Sequence, residues 1–369
     1  MTTTLLAIET SCDETAAAVA TGDARGPVSW QVRSSIVASQ TDVHREWGGV
    51  VPELASRQHL RDICGVVERA LGDADTDWSG LDGIAVTQGP GLVGSLLVGV
   101  AFAKSVAAAL GRPLVPVHHL VGHIESLFLC HADLPLPAVV LVVSGGHTNL
   151  YHLPEAGEYR LIGRTRDDAA GEAYDKVAKL LGLEYPGGPV IDRLSRDGDE
   201  EAIRFPVARM THAARDPGPP TVATPGWPRA AEGRMDFSFS GLKTAVSRHL
   251  QRRREAGQPP PVDGELADIC ASFQRAVVEA LLDRSFDAVG RFGARSLGIA
   301  GGVSANSRLR EVAAARGEAA GVPVLFPTLH LSTDNAAMIA AAGLRRFHAG
   351  VTAQLDLNAK ASLAITDAR

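Results

Sequence analysis

Two stretches of the chain run through the same succession of apolar and polar segments. Residues 5–8 form a short apolar run that ends in Glu9-Thr10-Ser11-Cys12-Asp13-Glu14-Thr15, and the apolar run 16–20 returns as its hairpin partner. A third strand is expected at 31–36, followed by the polar segment 41–47 and a long helix. That helix carries Leu60, Ile63, Val67 and Leu71 at spacings of three, four and four, the period of an apolar helix face. Residues 84–87 read as a short buried strand, then come Gln88-Gly89-Pro90-Gly91 and an apolar helix over 92–110. A strand-like run, 114–117, closes this half. The second half repeats the order. Residues 138–143 enter Ser144-Gly145-Gly146-His147-Thr148, 149–152 return, 159–163 give a third strand, and 167–181 a helix. A later helix over 266–286 shows Ile269, Phe273, Val277 and Leu281 every four residues. Residues 295–300 are a strand opening into Gly301-Gly302-Val303-Ser304-Ala305-Asn306 and a helix, and Ser332-Thr333-Asp334-Asn335 caps an Ala-rich helix over 336–347. The pattern is an α/β fold duplicated in topology rather than in sequence.

Composition narrows the class. At 369 residues the chain has room for two cores, and 45% hydrophobic with 21% charged residues is ordinary for a water-soluble globular protein. Cys12, Cys64, Cys130 and Cys270 stand far apart with no Cys-x-x-Cys pair, which argues against a disulfide framework or a thiolate zinc site and favours a reducing compartment. The first residues show no basic region and no cleavage signature, so no signal peptide is expected. The 92–110 stretch contains Lys104, and its uncharged part is too short for a bilayer; a buried helix is expected, and no membrane partner. A net charge of −6 gives no global nucleic-acid footprint. Lys243, Arg248, His249 and Arg252-Arg253-Arg254 are locally basic, which is read as a solvated helix end before Gln258-Pro259-Pro260-Pro261.

The polar turns carry the candidate chemistry. Ser, Thr and Gly at a strand-to-strand turn offer backbone N–H groups and hydroxyls without bulk, so a phosphate can approach closely. A Gly-Gly opening onto a helix admits a base or ribose, with Asn306 placed to hydrogen-bond hydroxyls. Such pieces in matching positions of a duplicated fold describe a nucleotide cleft between two related domains. A separate signal is Val117-His118-His119-Leu120-Val121-Gly122-His123. His119 and His123 are four apart, so on a helix they share one face and offer two nitrogens to one metal ion. Two ligands do not complete a site.

An ordered set of motifs resembles the TsaD family of tRNA N6-adenosine threonylcarbamoyltransferases. They are Glu9–Thr15, His44 with the segment 48–59, the Gln-Gly-Pro-Gly-Leu of 88–92, the histidine segment 118–123, the Val-Ser-Gly-Gly-His-Thr of 143–148, the segment 168–175, the Tyr-Pro-Gly-Gly of 185–188, the segment 236–244, the segment 300–306 and Thr333-Asp334-Asn335. The resemblance spans nearly the whole chain. It implies the duplicated actin-like ATPase fold (ASKHA, RNase H-like), with two domains flanking a nucleotide cleft. Subdomain I is expected over 1–116 plus 336–369, and subdomain II over 117–335, with the metal site and a Pro/Ala-rich surface insertion at about 208–234.

The reaction implied is transfer of threonylcarbamoyl from threonylcarbamoyl-AMP to N6 of the adenosine 3′-adjacent to the anticodon in tRNAs reading codons that begin with A. AMP is released, as by an N6-L-threonylcarbamoyladenine synthase. By resemblance the metal ligands are His119, His123 and Asp334, holding one divalent ion per subunit. Iron(II) is favoured, and mixed N/O ligands also suit zinc or manganese. Val143 stands where archaeal-type relatives tend to carry a tyrosine near the metal, which points to the bacterial branch and leaves three protein ligands. Substrate contacts map to Val142, Val143, Ser144, Gly145, Gly146, Asp175, Gly188, Asp192 and Asn306, with the two aspartates suited to ribose hydroxyls. Asp13, Glu14 and His147 are the candidates for a general base. The implied partners are tRNA, a TsaB-like paralogue, a TsaE-like P-loop ATPase and a TsaC-like enzyme that supplies the adenylate, all in the cytoplasm. Helices around 60–71 and 92–110 are candidate docking elements.

Two other classes are weighed against this. A zinc peptidase of the His-Glu-x-x-His type needs glutamate directly after its first histidine, and Leu120 stands there. A non-catalytic actin-like scaffold or chaperone ATPase has no use for the histidine pair.

Overall fold

The computed structural model describes residues 2–207 and 235–365, which fall into two compact units. The expected Pro/Ala-rich insertion at about 208–234 lies outside the described residues. The first unit comprises residues 1–135, 298–305 and 325–369, and the second 136–297 and 306–324. In the first, β1 (Thr3–Glu9), β2 (Glu14–Gly22), β3 (Gln31–Ser39), α1 (Thr41–Arg45), α2 (Pro52–Asp73), β4 (Gly83–Gly89), α3 (Val93–Leu110), β5 (Leu114–His118) and α4 (His119–Cys130) follow in order. The second holds β6 (Ala138–Val143), β7 (Thr148–Leu153), β8 (Arg160–Arg164), α5 (Ala170–Leu180), α6 (Gly187–Leu194), α7 (Ser240–Glu255) and α8 (Asp263–Phe292). Then come β9 (Ser296–Ala300), α9 (Ser307–Ala320) and β10 (Val324–Leu325), after which α10 (Leu329–Ser332) and α11 (Ala336–His348) return to the first unit. The α4 helix and Asp334 thus belong to the first unit, whereas the sequence expectation grouped them with the second half.

The topological duplication is visible in the sheets. One has the order β3-β2-β1-β4-β5, the other β10-β9-β6-β7-β8. Read from the opposite edge, the second sheet has the same order, its third, second and first strands followed by two later ones. In the first sheet β1 pairs antiparallel with β2 and parallel with β4. It lies at the centre, covered on both faces, so Leu5, Leu6, Ala7 and Ile8 form an unbroken buried run rather than an alternation. The edge strand β3 shows mixed exposure along its length.

Helix faces follow the apolar period with one correction. Ile63, Val67 and Leu71 of α2 are buried together with Ala55, Val66 and Ala70, but Leu60 is 65% exposed. Ala55 and His59, nearer the start of the helix, are fully buried, so Leu60 sits at the rim of the buried face, which the spacing alone does not reveal. In α3, Ser95, Leu96, Gly99, Val100, Ala103 and Ala107 face inward while Val93 and Leu97 are exposed, so the helix is buried on one face only. Its length and composition alone would let it cross a membrane; here it packs on α2 and β4. The α8 quartet Ile269, Phe273, Val277 and Leu281 is fully buried, and each such side chain contributes roughly 1.5–3 kcal/mol by leaving water.

Candidate functional site

In the first unit β5 runs without a loop into α4. His118 ends the strand as N-cap, its Nδ1 accepting the Leu120 N–H at 3.2 Å, while its Nε2 lies 3.0 Å from the Leu363 carbonyl oxygen. Burial pushes this imidazole down to about 4. His119 and His123 occupy the next two turns on one face, ring centroids 4.8 Å apart. The Ala-rich helix α11 crosses beside α4. At Gly122 a Cβ would meet Ile339 Cδ1 at 2.9 Å and Met338 Cγ at 3.2 Å, so a glycine between the two histidines lets α11 come close. Asn335 caps α11 by accepting the Met338 N–H at 2.9 Å, and the residue before it, Asp334, is thereby aimed at α4. Asp334 Oδ1 lies 3.1 Å from His123 Nε2 and 3.7 Å from His119 Nε2. One ligand atom from each of His119, His123 and Asp334 can be chosen so that all three lie within 4.8 Å of one another.

These residues fit a metal ion. His123 is wholly buried, yet neither of its ring nitrogens makes a hydrogen bond. Its close approach to Asp334 therefore has the geometry of two ligands converging on a point, not of donor and acceptor. His119 is held from behind: its Nδ1 lies 3.2 Å from Glu9 Oε2 and 3.1 Å from Ser11 Oγ. A carboxylate on Nδ1 fixes the tautomer that leaves Nε2 with its lone pair toward Asp334. Burial disfavours the His119 cation, but Asp334 and then Glu9 outweigh it and lift the imidazole to about 9 in the metal-free protein. Two nitrogens and a carboxylate suit a borderline divalent ion such as iron(II), zinc or manganese.

Glu9 was not singled out by sequence reasoning. It is fully buried, accepting from the Ser11 N–H and, at 2.6 Å, from Thr87 Oγ1, besides facing His119. Its sequence signals are its place at the end of an apolar strand and at the head of the 9–15 motif. His59 was likewise quoted only as part of a motif. Its Nδ1 meets Thr15 Oγ1 at 2.8 Å and its Nε2 lies 3.0 Å from the Cys12 carbonyl oxygen, so α2 braces the 9–15 turn from outside. Of the candidate bases, Asp13 and Glu14 sit on that turn in the first unit. Burial, then Asp13 and then Asp334, raise the Glu14 carboxyl well above the usual range.

In the second unit β6 ends in the Ser144–His147 turn. The Ser144 N–H donates to the His147 carbonyl at 2.8 Å, and the His147 N–H to Ser144 Oγ at 3.2 Å. Val142 and Val143 are wholly buried strand residues, which leaves their backbone alone for any ligand, whereas Gly145 and Gly146 are exposed. The N-terminus of α5 abuts this turn: a Cβ on Gly171 would come 2.6 Å from Ser144 O and 2.7 Å from Gly145 Cα. Asp175 accepts the Gly187 N–H at 2.8 Å and so anchors the first turn of α6, where Gly188 lies. Asp192 accepts Ser307 Oγ–H at 2.9 Å. Asn306 caps α9 through the Leu309 N–H at 2.9 Å and donates to Gln274 Oε1 at 2.6 Å. The residues expected to contact substrate thus serve as local anchors, and Asp192 also takes the Ser307 N–H at 3.2 Å and lies 3.6 Å from the Arg196 guanidinium.

The peptidase alternative loses its chemistry here. Leu120 is a buried core side chain, and Glu125 is fully buried and paired with Arg345 at 2.7 Å.

Comparison with known proteins agrees with the architecture. Among solved structures, full-length HypF in its phosphate- and nucleotide-bound form matches with a TM-score of 0.55 at 13% identity, over 94% of this chain and 55% of that one. Component A of the Acidaminococcus fermentans (R)-2-hydroxyglutaryl-CoA dehydratase matches at 0.50 and 12% identity, over 94% and 98%. The duplicated α/β fold is that of the actin-like ATPases, and a His-His-Asp group on it defines an actin-like protein with a candidate metal centre. Residues 31–341 match the family model described as TsaD, tRNA N6-adenosine threonylcarbamoyltransferase. Proteins of that name from Moorella thermoacetica and Anaeromyxobacter dehalogenans are each 51% identical, over 97% of this chain and 96% and 98% of their own lengths. The chain belongs to the TsaD family. It is a transferase of tRNA modification, and the comparisons lend no support to a peptidase or a scaffold.

Proposed function

We propose that this enzyme takes the threonylcarbamoyl group from threonylcarbamoyl-AMP and passes it to N6 of the adenosine 3′-adjacent to the anticodon, in tRNAs reading codons that begin with A, releasing AMP. The observation that carries the metal-assisted part is the convergence of His119, His123 and Asp334, with His123 buried and without a hydrogen bond. Those three residues would hold the ion, iron(II) before zinc or manganese. When bound, it supplies a Lewis acid that polarises a carbonyl oxygen.

The chain's own groups do the rest. The adenine amine is a weak nucleophile because its lone pair is delocalised into the ring, so positioning must supply much of the rate. Backbone groups of Val142–Gly146 and the first turn of α6 at Gly188 hold the nucleotide part of the donor, with Asp175 and Asp192 accepting from ribose hydroxyls. Asn306 keeps the α9 end in place beside them. Asp13, Glu14 and His147 are the candidates to take the proton that the amine loses, and burial with the neighbouring Asp13 and Asp334 raises the Glu14 carboxyl well above its usual range.

The enzyme works in the cytoplasm with a TsaB-like paralogue, a TsaE-like ATPase and a TsaC-like supplier of the adenylate. The exposed apolar side chains Leu60 on α2 and Val93 and Leu97 on α3, two helices packed together, support docking of the paralogue there. The test is mass spectrometry of nucleosides from tRNA incubated with the protein, its partners and either preformed threonylcarbamoyl-AMP or threonine, bicarbonate and ATP. Threonylcarbamoyladenosine is expected with both, without the TsaC-like enzyme in the first mixture. An unchanged yield from His119→Ala/His123→Ala would refute the metal role.

A further inference from the structure

The helix α7 carries a concentration of positive charge that none of the sites above uses. Its sequence places Lys243, Arg248, Arg252, Arg253 and Arg254 on sixteen residues of a chain whose net charge is −6. Arg253 is spoken for by Glu265 and by the Pro259 carbonyl at 3.2 Å. Lys243, Arg248, Arg252 and Arg254 have no ion pair among the described residues, and the three arginines are exposed. Arginines in the last turn would complement the helix dipole. That does not account for Lys243 and Arg248, which lie further back.

Their arrangement around the helix is ordered. Leu242 and Val246 are buried and mark the inner face. At 100° per residue, Ser240, Thr244, Ser247 and Gln251 form a polar uncharged stripe roughly opposite them. Arg248 and Arg252 flank that stripe on one side, Lys243 and Arg254 on the other. Glu255, the single acid of the helix, sits at the far end and accepts from Gln251 at 2.8 Å. The helix is also fixed at its start. Asp167 accepts the Phe239 N–H at 2.7 Å, the Ser240 N–H at 3.2 Å and the hydroxyls of Ser238 and Ser240 at 2.6 and 2.8 Å. The field of these cations is felt locally: burial first, then Arg253 and Arg252, hold the His249 imidazole below its ordinary value.

We propose that the exposed face of α7 contacts the sugar–phosphate backbone of the tRNA substrate, its two pairs of cations facing phosphates and its hydroxyl stripe lying between them. The occupant follows from charge and from the family's substrate: two rows of unpaired cations on an otherwise acidic protein match a polyanion. Contacts of this kind position RNA and carry no base readout. The proposal rests on the TsaD reading of the chain.

The test compares the full chain with Arg248→Gln/Arg252→Gln and with Lys243→Gln/Arg254→Gln, changes at three exposed arginines and a half-buried lysine that remove no described ion pair. Binding of unmodified tRNA is followed by fluorescence anisotropy at several salt concentrations, alongside cobalt(II) binding and nucleoside mass spectrometry. Every phosphate deprived of its protein cation lowers the slope of log K against log salt by roughly 0.7–0.9, so each double variant should show a slope smaller by about 1.5 and bind tRNA roughly tenfold or more weakly at low salt. KM for tRNA should rise with kcat and cobalt affinity unchanged. Wild-type slope and affinity in both double variants would overturn the proposal while threonylcarbamoyladenosine still forms. Loss of binding to phosphatidylserine vesicles with tRNA binding intact would overturn it in favour of a lipid surface. A wild-type protein that neither binds tRNA nor modifies it would overturn the TsaD reading itself.

Discussion

Replacing Glu9 tests whether the metal centre depends on a residue that touches no metal. Glu9 Oε2 lies 3.2 Å from His119 Nδ1 and takes the Thr87 hydroxyl at 2.6 Å, while the other oxygen takes the Ser11 N–H. Removing a carboxylate behind a ligating histidine costs about 10–100-fold in metal affinity, since the ring loses both its fixed tautomer and part of its basicity. In free energy that is about 1.4–2.8 kcal/mol. Glu9→Gln keeps the volume and one carbonyl acceptor for Nδ1–H but drops the charge, so a loss near tenfold is expected. Glu9→Ala also strands the Thr87 hydroxyl and the Ser11 N–H, two buried groups whose desolvation costs about 1–3 kcal/mol each. Its affinity should fall about 100-fold and its unfolding midpoint should drop. The assay is titration of metal-free protein with cobalt(II), followed by visible absorption and calorimetry, with thermal unfolding recorded in parallel. If the folded glutamine and alanine variants both bound cobalt with wild-type affinity, the positioning role would be wrong. Should the alanine variant fail to fold, the glutamine variant still decides.

Two further outcomes are expected. His119, lifted to about 9, is protonated at pH 7 in the metal-free protein, so metal uptake must displace a proton. Affinity should rise about tenfold per pH unit up to about pH 9 and level off above it; calorimetry in buffers of different ionisation enthalpy that detected no proton release at pH 7 would contradict this. Gly171→Ala forces a Cβ against the Ser144 carbonyl and the Gly145 backbone, atoms that can yield only by moving the turn. It should destabilise the protein by about 1–3 kcal/mol in denaturant unfolding and raise KM for the adenylate donor; a wild-type unfolding midpoint would refute the close packing.

Much of this protein is legible in its sequence, because local rules carry that information. The order of strands and helices followed from apolar runs and small polar turns, and the equal order of the two sheets confirms the topological duplication. The four-residue spacing of His119 and His123 sufficed to put both rings on one helix face. The ordered motifs sufficed for the family. Spacing also has a limit, and Leu60 marks it: the period is right, but only the packing of neighbouring elements decides whether a leucine at the rim of that face is covered.

Tertiary structure decided what lies across long separations. Asp334 meets the histidines because Gly122 lets α11 approach α4 and Asn335 caps α11 at that point. Glu9 stands behind His119 from 110 positions away. Asp175, Asp192 and Asn306, expected from the sequence to contact substrate, are seen in the fold to brace helix ends. The basic run in α7 reads as a solvated helix end until the fold shows which of its cations Glu265 has taken and which it has left. A sequence states which residues are chemically able to act. Which of them share a site depends on chain packing, and no local pattern encodes that.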